Sequence, residues 1–309
     1  MDARVHVLEE DFKTQVAATR AQIDATQERI EARTGRNLPV AILIGLVLGG
    51  GLLASLLVVK AFFMVFAALL IGFTAYELAS ALRFAGRDVP RIATIIGGVA
   101  VVPAAFFWGP GGAWLVWLGA MVFVSFWRTV ELLRPSHRVS VSMFWKDIGG
   151  GILVQAYVPF LAMFTLLLTR EPTGQFWTLA FLIVVVGIDT GAYASGLLFG
   201  KHPMAPKISP KKTWEGFAGS VVAALLAGVL LAIFMLHLPW WFGLVFGAVM
   251  VFTATIGDLT ESLIKRDLGI KDISTFLPGH GGFLDRLDST LPSAAAAYVL
   301  FQAFSWMAS

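Results

Sequence analysis

Charged side chains, most of them acidic, recur at helical spacing at two points near the end of the chain. Asp258 and Lys265 are seven residues apart, and Asp285 and Asp288 are three apart. Either spacing places both members of a pair on one face of a helix. Carboxylates without clusters of His or Cys suit hard, oxygen-binding cations such as Mg²⁺. The pattern therefore predicts a magnesium site that uses Asp258 and Asp285, with Asp288 as a further or outer ligand and room for a second cation.

The segment between these two pairs is rich in glycine and in basic residues. Gly281 and Gly282 lack Cβ atoms and can bring backbone N–H groups close to a phosphate. His280 is expected to hydrogen-bond phosphate rather than to abstract a proton, because a phosphate monoester is largely deprotonated near neutral pH. Four basic residues in this region can neutralise anionic groups: Lys265, Arg266, Lys271 and Arg286. Such residues also mark the cytoplasmic side of a membrane, but aspartates at a membrane boundary do not, which favours a binding site.

A second polar stretch begins inside an apolar run, at Asp189. A charge there costs at least about 2.5–3.5 kcal/mol on insertion scales, so Asp189 is either a further metal ligand or a buried carboxylate satisfied by Thr190 or a neighbouring helix. Hydroxyl and ammonium groups then gather just before the next apolar run, which predicts a cradle for a triphosphate at a helix N-terminus. The residues of this cradle are Lys207, Ser209, Lys211, Lys212 and Thr213. A P-loop is excluded, because its Gly-x4-Gly-Lys-[Ser/Thr] spacing does not occur here.

The amino-acid composition indicates the kind of protein that positions these residues. Of 309 residues, 57% are hydrophobic and 14% are charged. A soluble domain carries about 25% charged residues, so this chain lacks the polar surface to face water all round. The absence of cysteine excludes disulfide scaffolds, thiolate metal sites and cysteine nucleophiles. The composition therefore predicts an all-α, polytopic membrane protein.

The apolar runs divide into segments of the length that crosses a bilayer, which is roughly 20 residues. We expect about nine transmembrane helices, at 39–58, 61–82, 92–109, 112–128, 149–169, 176–198, 214–236, 239–257 and 289–307.

The distribution of basic residues predicts the orientation of these helices. With the N-terminus in the cytoplasm and the C-terminus outside, only Lys60 and Arg170 of the 23 Lys and Arg residues fall on the far side. Positive residues favour the cytoplasmic side, so the opposite orientation would invert the rule. The polar loops 199–213 and 258–288 then lie in the cytoplasm. We therefore expect a multi-pass protein of the inner (plasma) membrane with its active site on the cytoplasmic face.

Three regions follow from this pattern. Residues 1–36 hold six basic and seven acidic residues with apolar residues at helical intervals, which predicts a cytoplasmic amphipathic helix. A solvated or membrane-surface helix explains this segment, and a dimer zipper is the alternative. A secretory signal peptide is not expected, because this polar start lacks an apolar core. Residues 37–184 form the N-terminal transmembrane helices, and residues 185–309 form the catalytic transmembrane region.

The stretch 262–288 resembles the signature of the phosphatidate cytidylyltransferase (CDP-diglyceride synthase) family. The signature is S-x-x-K-R-x4-K-D, a short spacer, and then P-x-H-G-G-x-x-D-R-x-D. The matching positions are Ser262, Lys265, Arg266, Lys271, Asp272, Pro278, His280, Gly281, Gly282, Asp285, Arg286 and Asp288. The segments beginning at Asp189 and Ser209 also resemble the family, so the similarity covers about 185–309.

This resemblance implies an enzyme of phospholipid biosynthesis that converts CTP and phosphatidic acid into CDP-diacylglycerol and pyrophosphate with Mg²⁺. It also implies a homodimer, and no nucleic-acid partner is expected. Asp258 and Asp285 match the family's apparent metal ligands. We expect the residues of the 207–213 loop to bind the CTP phosphates, and Arg266 and Arg286 to bind the lipid phosphate or pyrophosphate. The alternatives are a related CTP-dependent lipid kinase, a cytidylyltransferase for another lipid, and a lipid or ion transporter.

Overall fold

The computed structural model describes residues 38–270, 273–274 and 282–307, and this part of the chain is almost entirely helical. The amphipathic helix predicted over residues 1–36 lies outside the described residues, as do Lys271, His280 and Gly281. In chain order the helices are α1 (Leu38–Leu57), α2 (Lys60–Phe84), α3 (Arg91–Pro103), α4 (Gly109–Glu131), α5 (Val141–Tyr157), α6 (Pro159–Arg170), α7 (Gly174–Phe199), α8 (Trp214–Phe234), α9 (Trp240–Asp267), α10 (Leu284–Leu287) and α11 (Thr290–Phe304). A π-helical turn, Ala104–Trp108, joins α3 to α4, and short 3₁₀ turns occur at Pro135–His137 and Ser305–Met307.

Six stretches of the described chain are long and apolar enough to cross a membrane, which confirms a helical membrane protein. They are Lys60–Phe84, Arg91–Glu131, Val141–Arg170, Gly174–Phe199, Trp214–Phe234 and Trp240–Asp267. The stretch Arg91–Glu131 covers two of the predicted spans, because the chain turns at Gly109, whose φ is 71°. Gly97 of α3 then packs against Ala120 of α4. Helix α11 has 15 residues, fewer than a crossing normally needs.

Two apolar cores hold the helices together. The first joins α2, α3, α5 and α6, and residues such as Leu78, Val101 and Leu167 are buried in it. The second joins α7, α8, α9 and α11 around Trp177. The Trp177 ring makes edge contacts with Phe242 and Phe301, at centroid distances of 5.5 and 5.3 Å. The second core therefore fixes the helices that carry Asp189, Asp258 and Lys265.

Small residues let α7, α8 and α9 approach closely. A Cβ atom added to Gly191 of α7 would lie 2.8 Å from the Ala223 Cβ of α8. A Cβ added to Gly247 of α9 would lie 2.5 Å from the carbonyl oxygen of Ala224. Because larger side chains would push these backbones apart, the glycines bring the ends of the three helices together around one site.

One short β-hairpin interrupts the helical fold between α7 and α8. Strands β1 (Pro203–Ala205) and β2 (Ser209–Thr213) pair antiparallel, with Pro203 opposite Thr213 and Ala205 opposite Ser209. An all-α fold did not predict this ribbon, because a short segment rich in proline and lysine is typical of a loop. The hairpin carries the predicted phosphate-binding residues and ends directly at the start of α8.

Candidate active site

A polar cavity of about 390 Å³ opens where the ends of α7, α8 and α9 meet the hairpin and α10. All four predicted metal ligands line it: Asp189, Asp258, Asp285 and Asp288. These residues come from α7, from α9 and from the segment that leads into α11, so residues about 100 positions apart in sequence share one cavity. The four carboxylates that the sequence analysis selected therefore line one cavity in the fold.

Positive side chains line the same cavity. Lys211 and Lys212 come from the hairpin, and Arg286 comes from α10. The ammonium group of Lys212 forms an ion pair with the Asp258 carboxylate. Thr213 also lines the cavity, and its hydroxyl accepts a hydrogen bond from the backbone N–H of Gly216 (3.1 Å), which caps α8. The N-terminus of α8 thus faces a site that contains both carboxylates and lysines.

Lys265 acts on this site through Asp285. Its ammonium group lies 2.5 Å from Oε2 of buried Glu261 and 3.1 Å from Oδ1 of Asp285. The backbone N–H of Gly282 donates to Oδ2 of the same aspartate (2.9 Å). Burial acts to raise the pKa of Asp285. A hydrogen bond with Glu261, the hydrogen bonds with Gly282 and Lys265, and the positive charge of Lys265 together outweigh burial, so the pKa of Asp285 lies below its ordinary value. Asp285 is therefore held as a fixed carboxylate.

Asp288 has a different environment at the other end of the same helical turn. Its Oδ1 atom accepts a hydrogen bond from the backbone N–H of Ser289 (2.6 Å). Burial, and then the negative charge of Asp258, raises the pKa of Asp288 to about 7. Because burial and neighbouring negative charge disfavour the ionised form of Asp288, a cation that enters the cavity would stabilise that form.

Glu77 of α2 holds two residues close to the site, Ser274 and Leu284, although no sequence motif selected it. Its carboxylate accepts hydrogen bonds from the Ser274 hydroxyl (2.5 Å) and from the backbone N–H of Leu284 (3.0 Å). The Phe73 and Phe283 rings stack beside it, with centroids 5.1 Å apart. The only sequence signal for this role was an isolated carboxylate in an apolar span, which is costly unless it is used.

Three predicted residues have other surroundings. Lys207 and Ser209 are not among the described residues that line the cavity. The Arg266 Nε atom donates to the carbonyl oxygen of Ile208 (3.2 Å), so this side chain fastens the turn of the hairpin to α9. The cavity also contains Tyr193 and Ser289, which the spacing argument did not select.

The oxygen donors of the cavity are of the type that binds a magnesium ion. Every acidic ligand offers oxygen, and Mg²⁺ is commonly held by one or two carboxylates together with phosphate oxygens and water. Lys212 and Lys265 already partner Asp258 and Asp285, whereas Asp189 and Asp288 have no ion pair in the described part of the chain. Among the described residues, no three of these carboxylates have oxygen atoms within 4.8 Å of one another. The group that meets this distance is Asp88, Glu131 and His137, outside the cavity. The cavity therefore suits a cation that arrives with phosphate rather than a preformed cage.

A second, strongly apolar cavity of about 340 Å³ adjoins the site. Its walls come from α1, α2, α6, α7 and α11 and include Phe63, Leu70 and Leu291. Arg286 lines both this cavity and the polar one. One guanidinium group therefore marks the boundary between an ionic compartment and an apolar compartment.

These features define a membrane-embedded helical protein whose ionic site joins an apolar pocket. Among known proteins, the Cytidylyltransferase family matches residues 39–304. The chain is 42% identical over 277 residues to a phosphatidate cytidylyltransferase of Mycobacterium leprae, covering 87% of this chain and 88% of the relative. It is 39% identical over 274 residues to that of Mycobacterium tuberculosis (87% and 84% covered). It is 36% identical over 280 residues to that of Pseudomonas aeruginosa (88% and 97% covered).

The chain therefore belongs to the cytidylyltransferase family. This membership confirms the resemblance first noted at residues 262–288 and the prediction of a nucleotidyltransferase. The match extends over the N-terminal helices as well, beyond the 185–309 region in which the motifs lie. The roles of the individual site residues stay predictions.

Proposed function

We propose that this protein transfers the cytidylyl group of CTP to phosphatidic acid, forming CDP-diacylglycerol and pyrophosphate. The observation that carries the proposal is the position of Arg286, which lines both the polar and the apolar cavity. A phospholipid substrate has a phosphate joined to acyl chains, so it needs adjoining ionic and apolar compartments. The names of the curated relatives point to the same reaction.

The two substrates divide between the compartments. The CTP phosphates lie against Lys211, Lys212 and Thr213, because these residues line the polar cavity at the N-terminus of α8. Arg286 binds the lipid phosphate, and an acyl chain enters the apolar cavity beside it. Lys207, Ser209, Lys271, His280 and Gly281 stay candidates for further contacts with the phosphates.

The chemistry is an in-line substitution at phosphorus. A phosphate oxygen of the lipid attacks the α-phosphorus of CTP, and the bond to the bridging oxygen of the β-phosphate breaks. Pyrophosphate leaves with the electron pair of that bond. The lipid phosphate has a second pKa of about 6 and needs no general base near neutral pH. The lysines and Arg286 of the chain orient the reacting phosphates and stabilise the charge that passes to the leaving group.

The carboxylates of the polar cavity are candidate ligands for Mg²⁺. Asp258 and Asp285 would hold the ion, with Asp189 or Asp288 as further ligands, and four carboxylates also have the capacity for a second cation. Bound Mg²⁺ would neutralise charge on the phosphate oxygens and so ease nucleophilic attack. Lys212 and Lys265 balance the negative charge of Asp258 and Asp285 before substrate arrives.

Nine membrane crossings with the N-terminus in the cytoplasm account best for the arrangement of helices and charges. Helix α1 and the short α11 then add to the six long stretches, and the turn at Gly109 divides Arg91–Glu131 into two. The basic residues, including those of the hairpin, lie on the cytoplasmic side. The site then faces cytoplasmic CTP from the cell membrane. A homodimer is proposed from the family resemblance alone.

The experiment uses CTP labelled at either its α- or its γ-phosphate, with purified protein and phosphatidic acid in detergent micelles. Cytidylyl transfer puts the α-label into lipid and the γ-label into pyrophosphate. Lipid labelled from the γ-position would show a CTP-dependent kinase and refute the proposal. Absence of lipid labelling from either position, together with lipid movement in vesicles without CTP, would favour a transporter. Replacing phosphatidic acid with a polyprenyl phosphate tests a cytidylyltransferase for another lipid.

A further inference from the structure

A groove of about 820 Å³ lies between the ends of α2, α3 and α4. It shares no lining residue with the polar cavity described above. Its lining combines three arginines, one glutamate and a set of aromatic and aliphatic side chains. The groove is therefore amphipathic and separate from the proposed catalytic site.

The arginines lie together at one end of the helices. Arg83 is in the last turn of α2, Arg91 begins α3, and Arg134 follows the end of α4. The chain reverses between these helices, so all three guanidinium groups mark the same membrane boundary. The orientation proposed from basic residues makes this the cytoplasmic boundary.

Two of the three arginines have no acidic partner among the residues that the structure describes. Arg83 is paired with Asp88 at 3.0 Å. Arg91 lies over the Tyr76 ring, with its guanidinium carbon 5.7 Å from the ring centroid. Across the described ranges neither Arg91 nor Arg134 makes an ion pair, although Glu131 also lines the groove. Arg91 and Arg134 therefore supply positive charge that is not neutralised within the described protein.

The rest of the groove is apolar and open. Ile92 and Phe126 are 63% and 64% exposed, and Val130 is 45% exposed. The Trp127 indole N–H donates to Oε1 of Glu131 (3.0 Å), and both residues line the groove. Tryptophan and tyrosine favour the membrane interface, where one end of the side chain meets headgroups and the other meets acyl chains.

We propose that this groove is a second, non-catalytic binding site for an anionic glycerophospholipid. The headgroup phosphate lies between Arg91 and Arg134, and an acyl chain lies along Ile92, Phe123 and Phe126. Basic pockets between transmembrane helices bind anionic headgroups in this way. A metal ion is the less suitable occupant, because the nearby Asp88 carboxylate is already within 3.7 Å of both Arg83 and Arg128.

The test compares the wild type with an Arg91→Gln/Arg134→Gln variant. The matched control is Arg138→Gln/Lys146→Gln, which removes the same charge from two exposed residues outside the groove. Delipidated protein in detergent is titrated with dioleoyl phosphatidylglycerol, and native mass spectrometry counts the bound lipids. The groove variant should bind phosphatidylglycerol at its tightest site about 10- to 30-fold more weakly. Each arginine near an anionic headgroup strengthens binding by up to about 5-fold, and the variant removes two. The control variant should bind as the wild type does.

Two further arms identify the ligand and the place. Dioleoyl phosphatidylcholine should bind much more weakly, and inorganic phosphate at millimolar concentration should not displace phosphatidylglycerol. A phosphatidylglycerol with a photoreactive acyl chain should label the α4 peptide that contains Phe123 and Phe126, and the groove variant should lose this label. Equal affinity of the groove variant and the wild type, equal binding of phosphatidylcholine, or displacement by free phosphate would each overturn the proposal. Size-exclusion profiles and thermal unfolding establish that the variants are folded, independently of any cytidylyltransferase activity.

Discussion

Two ionic clusters lie within this membrane protein, and they are built on opposite principles. The polar cavity is lined by four carboxylates and three basic side chains. The carboxylates are those of Asp189, Asp258, Asp285 and Asp288. In the N-terminal half, Arg128 of α4 and Asp147 of α5 are both completely buried and pair with each other at 2.8 and 3.1 Å.

The difference lies in whether the protein itself satisfies the charges. Both oxygens of Asp147 are hydrogen-bonded, one by Arg128 and the other by the backbone N–H of Asp88 (2.8 Å). Asp189 and Asp288 in the cavity lack an ion pair in the described part of the chain, and the cavity is open to ligand. In the cavity, the described fold thus leaves two of the four carboxylates without an ion pair, so a partner from outside the protein can satisfy their charge. A matched pair instead fixes the packing of two helices.

The largest effect should come from Asp258→Asn. This change keeps the shape of the side chain and removes a negative charge from the carboxylates that line the polar cavity, so turnover should fall at least ~10²-fold, while the melting temperature should change little. CTP-dependent labelling of phosphatidic acid measures the rate. Asp267→Asn, at an exposed position on the same helix, is the control and should retain wild-type turnover. Near-normal turnover of Asp258→Asn at saturating Mg²⁺ would remove this residue from the site.

Arg128→Met should have the opposite profile. It leaves the buried Asp147 charge without a partner, so unfolding free energy should fall by about 3–5 kcal/mol. The turnover of the protein that stays folded should be close to normal. The double variant Arg128→Met/Asp147→Leu should recover much of the loss, because neither charge then remains. Thermal unfolding in detergent measures both variants. Loss of turnover without loss of stability would move this pair into the functional site.

Lys212→Met should affect CTP more than lipid. Lys212 lies on strand β2 of the hairpin and forms an ion pair with Asp258 in the cavity, so its loss should raise the KM for CTP about 10-fold with a smaller change in the KM for phosphatidic acid. Lys201→Met, an exposed lysine just before the hairpin, is the matched control. Equal CTP KM values in the Lys212→Met variant and the wild type would exclude this lysine from the nucleotide site.

The smallest effect should come from Asp88→Asn, on the stability of the fold at acid pH. Burial acts to raise the pKa of Asp88, but the hydrogen bond with His137 and the charges of Arg83 and Arg128 hold it below its ordinary value of 3.8. This carboxylate therefore stabilises the fold above the ordinary pKa, and the contribution disappears as pH falls through the lowered value. Asp88→Asn should flatten the decline of melting temperature between about pH 5 and pH 3. An unchanged slope would show that Asp88 does not contribute.

Composition and the length of the apolar runs were sufficient to predict the membrane class. Residue type and local spacing selected four aspartates that line one cavity, although their roles stay predictions. Long-range partners were not predictable in this way. Glu77 reaches Leu284 across 207 positions, and no periodicity reports such a contact. Arg266 matched a motif for substrate binding, but it contacts the hairpin backbone because the loop folds back onto α9.

Divalent-ion binding tests the contrast between unmatched and matched charges most directly. Mn²⁺ replaces Mg²⁺ in an electron paramagnetic resonance titration with CTP present, using wild type, Asp189→Asn/Asp258→Asn and Arg128→Met/Asp147→Leu. We expect the wild type and the Arg128–Asp147 variant to bind Mn²⁺ with equal affinity, and the Asp189–Asp258 variant to lose at least ~10-fold. Full Mn²⁺ affinity in the Asp189–Asp258 variant would contradict the assignment of this cavity as the ion-binding reaction site.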